Sequence, residues 1–173
     1  MKKLLLLLYL ISAIMYYMLL HELTFNLKVF YPHAFILLLL LYLLYGYCIY
    51  VDNTEWQFIV YLLSLLTVLF YRISDSGFNF DFYLFDWLPY VFLNKTIMVN
   101  VIGNILIFIP FGAYVKNIFK GLAFIIIVEL MQVGFKLGMF DVVDIFLNIL
   151  GYIIGSLGVI LWRKTKKAKT KTI

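Results

Sequence analysis

The sequence predicts an all-α, polytopic membrane protein: a helical bundle of about six transmembrane helices with both termini in the cytoplasm. The composition is the first reason. Hydrophobic residues make up 65% of the 173-residue chain, charged residues make up only 13%, and the mean hydropathy is +1.03. A soluble domain contains about 25% charged residues. The second reason is that six separate apolar runs are long enough to cross a bilayer, which takes about 20 residues.

The six predicted spans follow one another without a repeat or a low-complexity linker. They are residues 4–20, 29–51, 56–73, 97–115, 118–137 and 142–162. The first shows no small-x-small cleavage site, which favours an uncleaved span over a signal peptide. Proline is tolerated at position 32, near the start of the second span. In the fourth span, Pro110 lacks a backbone N–H, so we expect the helix to bend or break there.

The distribution of basic residues predicts the orientation. With the N-terminus in the cytoplasm, ten of the fourteen Lys and Arg residues lie inside and four lie outside. Six of the ten form a basic tail after the last span, which is typical of a segment held on anionic lipid. Because the positive charge is concentrated in that tail, we expect the bilayer, and not a nucleic acid, to be the partner. The localisation that follows is a multi-pass protein of the cell membrane.

Four regions follow from this pattern. Residues 1–73 form an N-terminal three-helix membrane region, residues 97–162 form a three-helix core, and residues 163–173 form the basic cytoplasmic tail. The remaining region, residues 74–96, is rich in aromatic side chains and acids. Its acids prevent a full span, so we expect it to lie in the outer headgroup region. It is either an aromatic belt or a lid over a site.

Polar side chains collect in the outer half of the last three predicted spans. Glu129 is the most informative, because an acid inside a membrane is costly and is a functional candidate by default. Gln132 shares its helix face. The predicted ligand-binding or polar-core set is Asn100, Asn104, Glu129, Gln132, Asp141, Asp144, Asn148 and Arg72. We assign no metal site and no cofactor.

The sixth span carries a seam of polar and small residues at intervals of three or four. Asp141, Asp144 and Asn148 are followed along it by Gly151, Gly155 and Gly158. Small residues at this spacing let membrane helices approach closely. The predicted packing residues are Pro110, Gly112, Gly151 and Gly155.

Most of these polar residues also have a purely structural interpretation. Asp141 is placed to cap the sixth helix, and Asp144 to favour its dipole. Asn100 and Asn104 are candidates for interhelical hydrogen bonds alone. Glu129 is either such a structural partner or a site residue.

The stretch from residue 104 to residue 155 resembles the VanZ-like family of bacterial membrane proteins. Four pieces carry the resemblance: N-I-L-I-F-I-P-F-G from Asn104, V-E-L-M-Q from Val128, F-D-V-V-D from Phe140 and N-I-L-G-Y-I-I-G from Asn148. The chain departs from the family pattern before Phe140, where a frequent basic residue is missing, and at residues 141–144, where one acid of D-x-D-D is missing. The resemblance implies a bacterial envelope protein related to one that gives resistance to teicoplanin.

The sequence leads to three functional hypotheses. The first is a non-enzymatic protein that binds an outer-leaflet envelope lipid or a lipoglycopeptide, or lowers teicoplanin susceptibility. The second is a membrane-embedded enzyme acting on a lipid-linked substrate, with Glu129 and Asp144 as acid, base or metal ligands. The third, a proton- or solute-coupled transporter, is disfavoured because the inner half of the last three spans is almost free of polar groups.

Overall fold

The computed structural model describes residues 2–73, 80–81, 85, 88–135, 137 and 140–171. Its secondary structure is almost wholly helical, and the described strands are two residues long each. The chain divides into two compact units, Met1–Asp75 and Ser76–Ile173. The predicted all-helical fold class is therefore confirmed.

The first unit contains three α-helices. They are α1 (Lys2–His21), α2 (Pro32–Val51) and α3 (Thr54–Phe70), and a π-helical turn at Glu22–Asn26 follows α1. Proline occupies the first position of α2, where its missing N–H costs nothing. Helices α2 and α3 form a tight hairpin around a small core of Leu41, Cys48 and Val60.

The turn between α2 and α3 takes only two residues. Asp52 ends α2 in the left-handed region, with φ of 60°, and its N–H bonds the carbonyls of Cys48 and Ile49. Asn53 then begins α3, because its side-chain oxygen accepts the N–H of Trp56 at 3.0 Å. These two residues reverse the chain with little loss of backbone hydrogen bonding.

At the other end of this hairpin, α2 and α3 are shorter than the predicted spans 29–51 and 56–73. The residues that flank them pair backbone to backbone instead. The N–H of Tyr31 donates to Tyr71 O at 3.2 Å, and the N–H of Ile73 donates to Val29 O at 2.8 Å. The sequence predicts helix for these flanking segments because they are apolar, but pairing between the two segments also satisfies their backbone groups.

The described residues of the second unit form three further α-helices and one pair of short parallel strands. In chain order they are β1 (Phe80–Asp81), α4 (Lys95–Tyr114), α5 (Ile118–Gly134), β2 (Phe140–Asp141) and α6 (Val142–Lys171). Asparagines begin two of the helices. Asn94 accepts the N–H of Thr96 at 2.9 Å, and Asn117 accepts the N–H of Lys120 at 3.2 Å.

Helices α4 and α6 form the most extensive contact of this unit, and they run parallel. A Cβ atom on Gly151 or Gly155 would overlap the backbone carbonyls of Ile105 or Ile109. In the other direction, Gly112 of α4 lies directly against the backbone carbonyl of Tyr152. The two backbones therefore touch, which is possible only where side chains are missing.

Helix α4 continues without interruption through Pro110. Of the two predicted outcomes, a break at the proline is therefore wrong, and a bend there stays a prediction. Close contacts with α6 lie on both sides of Pro110, at Ile109 and Gly112. In addition, Ser156 donates to the carbonyl of Gly112 at 3.0 Å. Neighbouring helices of this kind keep a proline-containing membrane helix intact.

Three described helices are long and apolar enough to cross a membrane: Pro32–Val51, Lys95–Tyr114 and the Val142–Thr165 part of α6. Thr54–Phe70 is a shorter apolar helix. Helix α6 itself extends to Lys171, so most of the predicted basic tail continues the last helix. The count of six spans and the cytoplasmic termini stay predictions.

The orientation can be tested with single cysteines. Phe92, which is 90% exposed, precedes α4, and the exposed Thr165 lies on α6 beyond the apolar stretch. Each is replaced by cysteine in a Cys48→Ala background, and intact cells are treated with a membrane-impermeant thiol reagent. We expect labelling at position 92 and none at position 165, because the positive-inside rule predicts that the basic end of α6 is cytoplasmic. The reverse pattern would overturn the orientation.

Candidate functional site

The candidate site lies around the first two turns of α6. Asp141 ends β2 and caps the helix, since its carboxylate accepts the N–H of Val143 at 2.7 Å. Glu129 reaches this cap from α5, and its carboxylate accepts the backbone N–H of Asp141 at 3.2 Å. One acid therefore caps α6, and a second acid holds the capping residue.

A third carboxylate links α6 to α4. Asp144, in the first turn of α6, accepts a hydrogen bond from the side-chain amide of Asn104 at 2.5 Å. This hydrogen bond joins the start of α6 to the middle of α4. Asn104 and Glu129 are only 6% and 2% exposed. The three helices thus converge on one polar cluster, made of Asn104, Glu129, Asp141 and Asp144.

Asn148 lies one turn deeper, four residues after Asp144 on the same face of α6. On this face, Asp144 bonds Asn104 of α4, and Gly151 contacts the same helix at Ile105. Asn148 lies between these two contacts and is 2% exposed. Its side-chain oxygen is buried and has no hydrogen-bond partner among the described residues. Such an oxygen is rare in a folded protein and calls for an explanation.

The other three predicted site residues are not members of the four-residue polar cluster. Asn100 is half-buried on α4, one turn before Asn104, and no side-chain hydrogen bond joins it to a described residue. Gln132 is half-buried on α5, one turn after Glu129. Arg72 belongs to the first unit, where it forms a backbone bridge with Phe30. Arg72 is therefore part of the first unit and not of the polar cluster.

Helix packing fixes the other end of the same bundle. Tyr152 is 2% exposed, and its hydroxyl donates to the carbonyl of Val115 at 2.9 Å. Its ring fills the space beside Gly121 of α5, where a Cβ would overlap it. Sequence reasoning did not single out Tyr152 or Gly121. Tyr152 lies four residues after Asn148 and therefore on the same face of α6. Nothing in the sequence distinguishes it from the many other aromatic residues of the chain.

Strand β1 brings the aromatic segment to the cluster. Phe80 and Asp81 pair in parallel with Phe140 and Asp141, so the backbone of residue 81 lies beside the capping residue. The Phe-Asp dipeptide occurs at residues 80–81 and again at residues 140–141. This repeat was the sequence signal that could have indicated the pairing. Farther along, Val91 is buried against Val101 and Leu147. Most of the ring-bearing residues between 74 and 87, on which the belt and lid interpretations rest, lie outside the described residues.

No group of three or more His, Cys, Asp or Glu side chains among the described residues is arranged to hold a metal ion. The chemistry that the described cluster offers is hydrogen bonding. It combines carboxylate oxygens, a buried amide and one unsatisfied amide oxygen in surroundings that are otherwise apolar.

Comparison with known proteins gives a family. A family model described as VanZ/LLP1 matches residues 58–163, well over half of the chain. The match includes the whole polar cluster and reaches back into α3, beyond the stretch that carried the resemblance in the sequence. Neither the curated proteins nor the solved structures that were compared with the chain contain a match. The chain belongs to the VanZ/LLP1 family.

Proposed function

We propose that this chain is an integral membrane protein of the bacterial cell envelope that binds an outer-leaflet envelope lipid and thereby lowers susceptibility to teicoplanin-type glycopeptides. Membership of the VanZ/LLP1 family and the apolar helices support a membrane protein. The finer proposal depends on the polar cluster at the start of α6. In the predicted orientation, that end of the helix faces the outer leaflet.

The unsatisfied oxygen of Asn148 is the observation that carries the proposal. A buried acceptor without a partner costs about 1 to 3 kcal/mol. The described carboxylates around it each hold a structural bond: Asp144 to Asn104, Glu129 to Asp141, and Asp141 to Val143. An acceptor that the fold leaves unsatisfied suits a hydroxyl, amide or amine donor from a ligand. An amide oxygen accepts a hydrogen bond but transfers no proton, so it favours binding over catalysis.

The variant Asn148→Leu tests this proposal, because leucine has a similar volume and no polar atom. If the Asn148 oxygen is kept for a ligand, its removal should leave the free energy of unfolding of the purified protein unchanged or raise it by about 1 kcal/mol. The same variant should lose the effect on teicoplanin susceptibility when expressed in a sensitive Gram-positive host. Both quantities are measured at matched protein levels, with vancomycin as the second antibiotic.

The matched control is Ser156→Ala, two turns deeper on the same helix. Ser156 makes a structural hydrogen bond to Gly112, so its loss should cost about 1 kcal/mol and leave the susceptibility effect intact. An Asn148→Leu protein that is markedly less stable, with full activity in cells, would make Asn148 a packing residue and remove the basis of the proposal.

The second candidate function is an enzyme that uses Glu129 as its acid or base. Its supporting observation is that Glu129 is only 2% exposed. Carboxyl groups that act as general acids or bases in enzymes are often shielded from water in this way. The variant Glu129→Gln separates the two functions. A glutamine oxygen can still accept the N–H of Asp141, so the fold and ligand binding should survive, and we expect the susceptibility effect to persist.

Loss of that effect, in a Glu129→Gln protein present at the wild-type level and with the wild-type melting temperature, would instead favour the enzyme. Glutamine keeps the shape and an acceptor but cannot take up or release a proton, so such a loss is the result that a proton-transfer role predicts.

A further inference from the structure

The charged groups of the polar cluster at the start of α6 are acids. Its three carboxylates come from three elements: Glu129 from α5, Asp141 from the end of β2 and Asp144 from α6. Strand β1 adds a fourth acidic residue to this end of the bundle, since the backbone of Asp81 lies in register beside that of Asp141. Carboxylates gathered at one place repel one another, so this end of the unit attracts a cation.

The described basic residues of this unit are placed elsewhere along its helices. On α4, Lys95 lies nine residues before Asn104, about 14 Å along the helix axis. On α5, Lys120 lies nine residues before Glu129, at the same separation. The described bases of α6 follow its apolar stretch, at the far end of that helix. Lys136 lies outside the described residues.

The unsatisfied oxygen of Asn148 adds an acceptor to this acidic region. Asn148 lies one turn after Asp144 on the same face of α6, and it is 2% exposed. Its oxygen has no hydrogen-bond partner among the described residues, so it points to a donor that the described chain does not supply. A carboxylate likewise only accepts hydrogen bonds, and it has about four acceptor positions. The group that complements these atoms has several donors, no acceptor and a positive charge.

We propose that the lipid bound at this site carries a primary ammonium in its headgroup, and that this ammonium donates to the Asn148 oxygen beside the carboxylates of α6. The inference rests on the proposed function, because it names the headgroup of the envelope lipid that the function requires. A primary ammonium has three donors, no acceptor and a positive charge. A headgroup with a phosphate and no cation is repelled by the carboxylates of Glu129 and Asp144. A quaternary ammonium has the charge but no N–H to donate to Asn148.

Three lipids with identical acyl chains test the headgroup. Phosphatidylethanolamine carries a primary ammonium, phosphatidylcholine carries a quaternary ammonium of the same charge, and phosphatidylglycerol carries no cation. Each lipid is titrated into the purified full-length protein in detergent, and the bound lipid is measured by native mass spectrometry. We expect phosphatidylethanolamine to bind at least tenfold more tightly than the other two, because it alone supplies both the positive charge and the N–H donors.

Two variants assign this preference to the site. Asn148→Leu removes the acceptor and should weaken the binding of phosphatidylethanolamine at least tenfold, to the level of phosphatidylcholine. Asp144→Asn removes a charge but keeps an oxygen that accepts from Asn104, and it should weaken the same binding at least fivefold. If Asn148→Leu does not fold, Asp144→Asn decides. The matched control, Ser156→Ala, should leave the affinities for all three lipids unchanged, because its hydrogen bond to α4 is structural.

The possible results separate this inference from the proposed function. If phosphatidylglycerol or phosphatidylcholine binds as tightly as phosphatidylethanolamine, and Asn148→Leu weakens both, the site binds a lipid but the ammonium is overturned. If Asn148→Leu folds and changes the binding of none of the three lipids, the inference and the lipid-binding function are both overturned. Lys136→Gln should keep the preference for phosphatidylethanolamine. A Lys136→Gln protein without that preference would attribute it to the lysine and overturn the inference.

Discussion

The contact between the backbones of α4 and α6 is the constraint on which the second unit depends. Gly151 and Gly155 of α6 lie against the carbonyls of Ile105 and Ile109, and Gly112 of α4 lies against the carbonyl of Tyr152. In a bilayer, helices gain no hydrophobic energy by associating, so close packing and hydrogen bonds must hold them together. Three glycines supply the close packing, and they allow only one register, because any shift brings a side chain into the contact.

That register places the polar groups. With Ile105 against Gly151, Asn104 lies within hydrogen-bond distance of Asp144 at one end of the contact. At the other end, Tyr152 and Ser156 bond the last carbonyls of α4, which a helix end would otherwise leave unsatisfied. Helix α5 joins through Glu129 at the first end and through Gly121 at the second. The polar cluster and the contacts of Tyr152 and Ser156 therefore lie at opposite ends of one seam.

Much of this arrangement was predictable from the sequence, because it follows from periodicity. Hydrophobic runs located the helices, and the three-and-four spacing from Asp141 to Gly155 placed acids and glycines on one face of α6. Capping by Asp141 follows from its position before an apolar run. These signals are local, and local signals survive folding when the tertiary contacts agree with them.

The features that could not be predicted depend on partners distant in the sequence. Helix α4 passes through Pro110 because α6 holds it on both sides, and no local signal shows that support. Residues 29–31 and 71–73 pair backbone to backbone because each segment offers the other its hydrogen bonds. The pairing of β1 with β2 joins residues 80–81 to residues 140–141 across α4 and α5. The unsatisfied oxygen of Asn148 depends on its burial between two contacts of α6 with α4, which no local signal shows.

A double-mutant cycle on thermal stability tests most directly whether the glycine seam sets the register of the polar cluster. Gly155→Ala should destabilise the protein by about 1 to 3 kcal/mol through overpacking, whereas Gly158→Ala, whose Cβ meets nothing within 4 Å, should be neutral or slightly stabilising. Asn104→Ala should cost about 1 to 3 kcal/mol in the wild type. If the seam sets the register, Asn104→Ala should cost at least about 0.5 kcal/mol less in the Gly155→Ala background, because the bond to Asp144 is already weakened there. Strict additivity of the two changes would contradict this account.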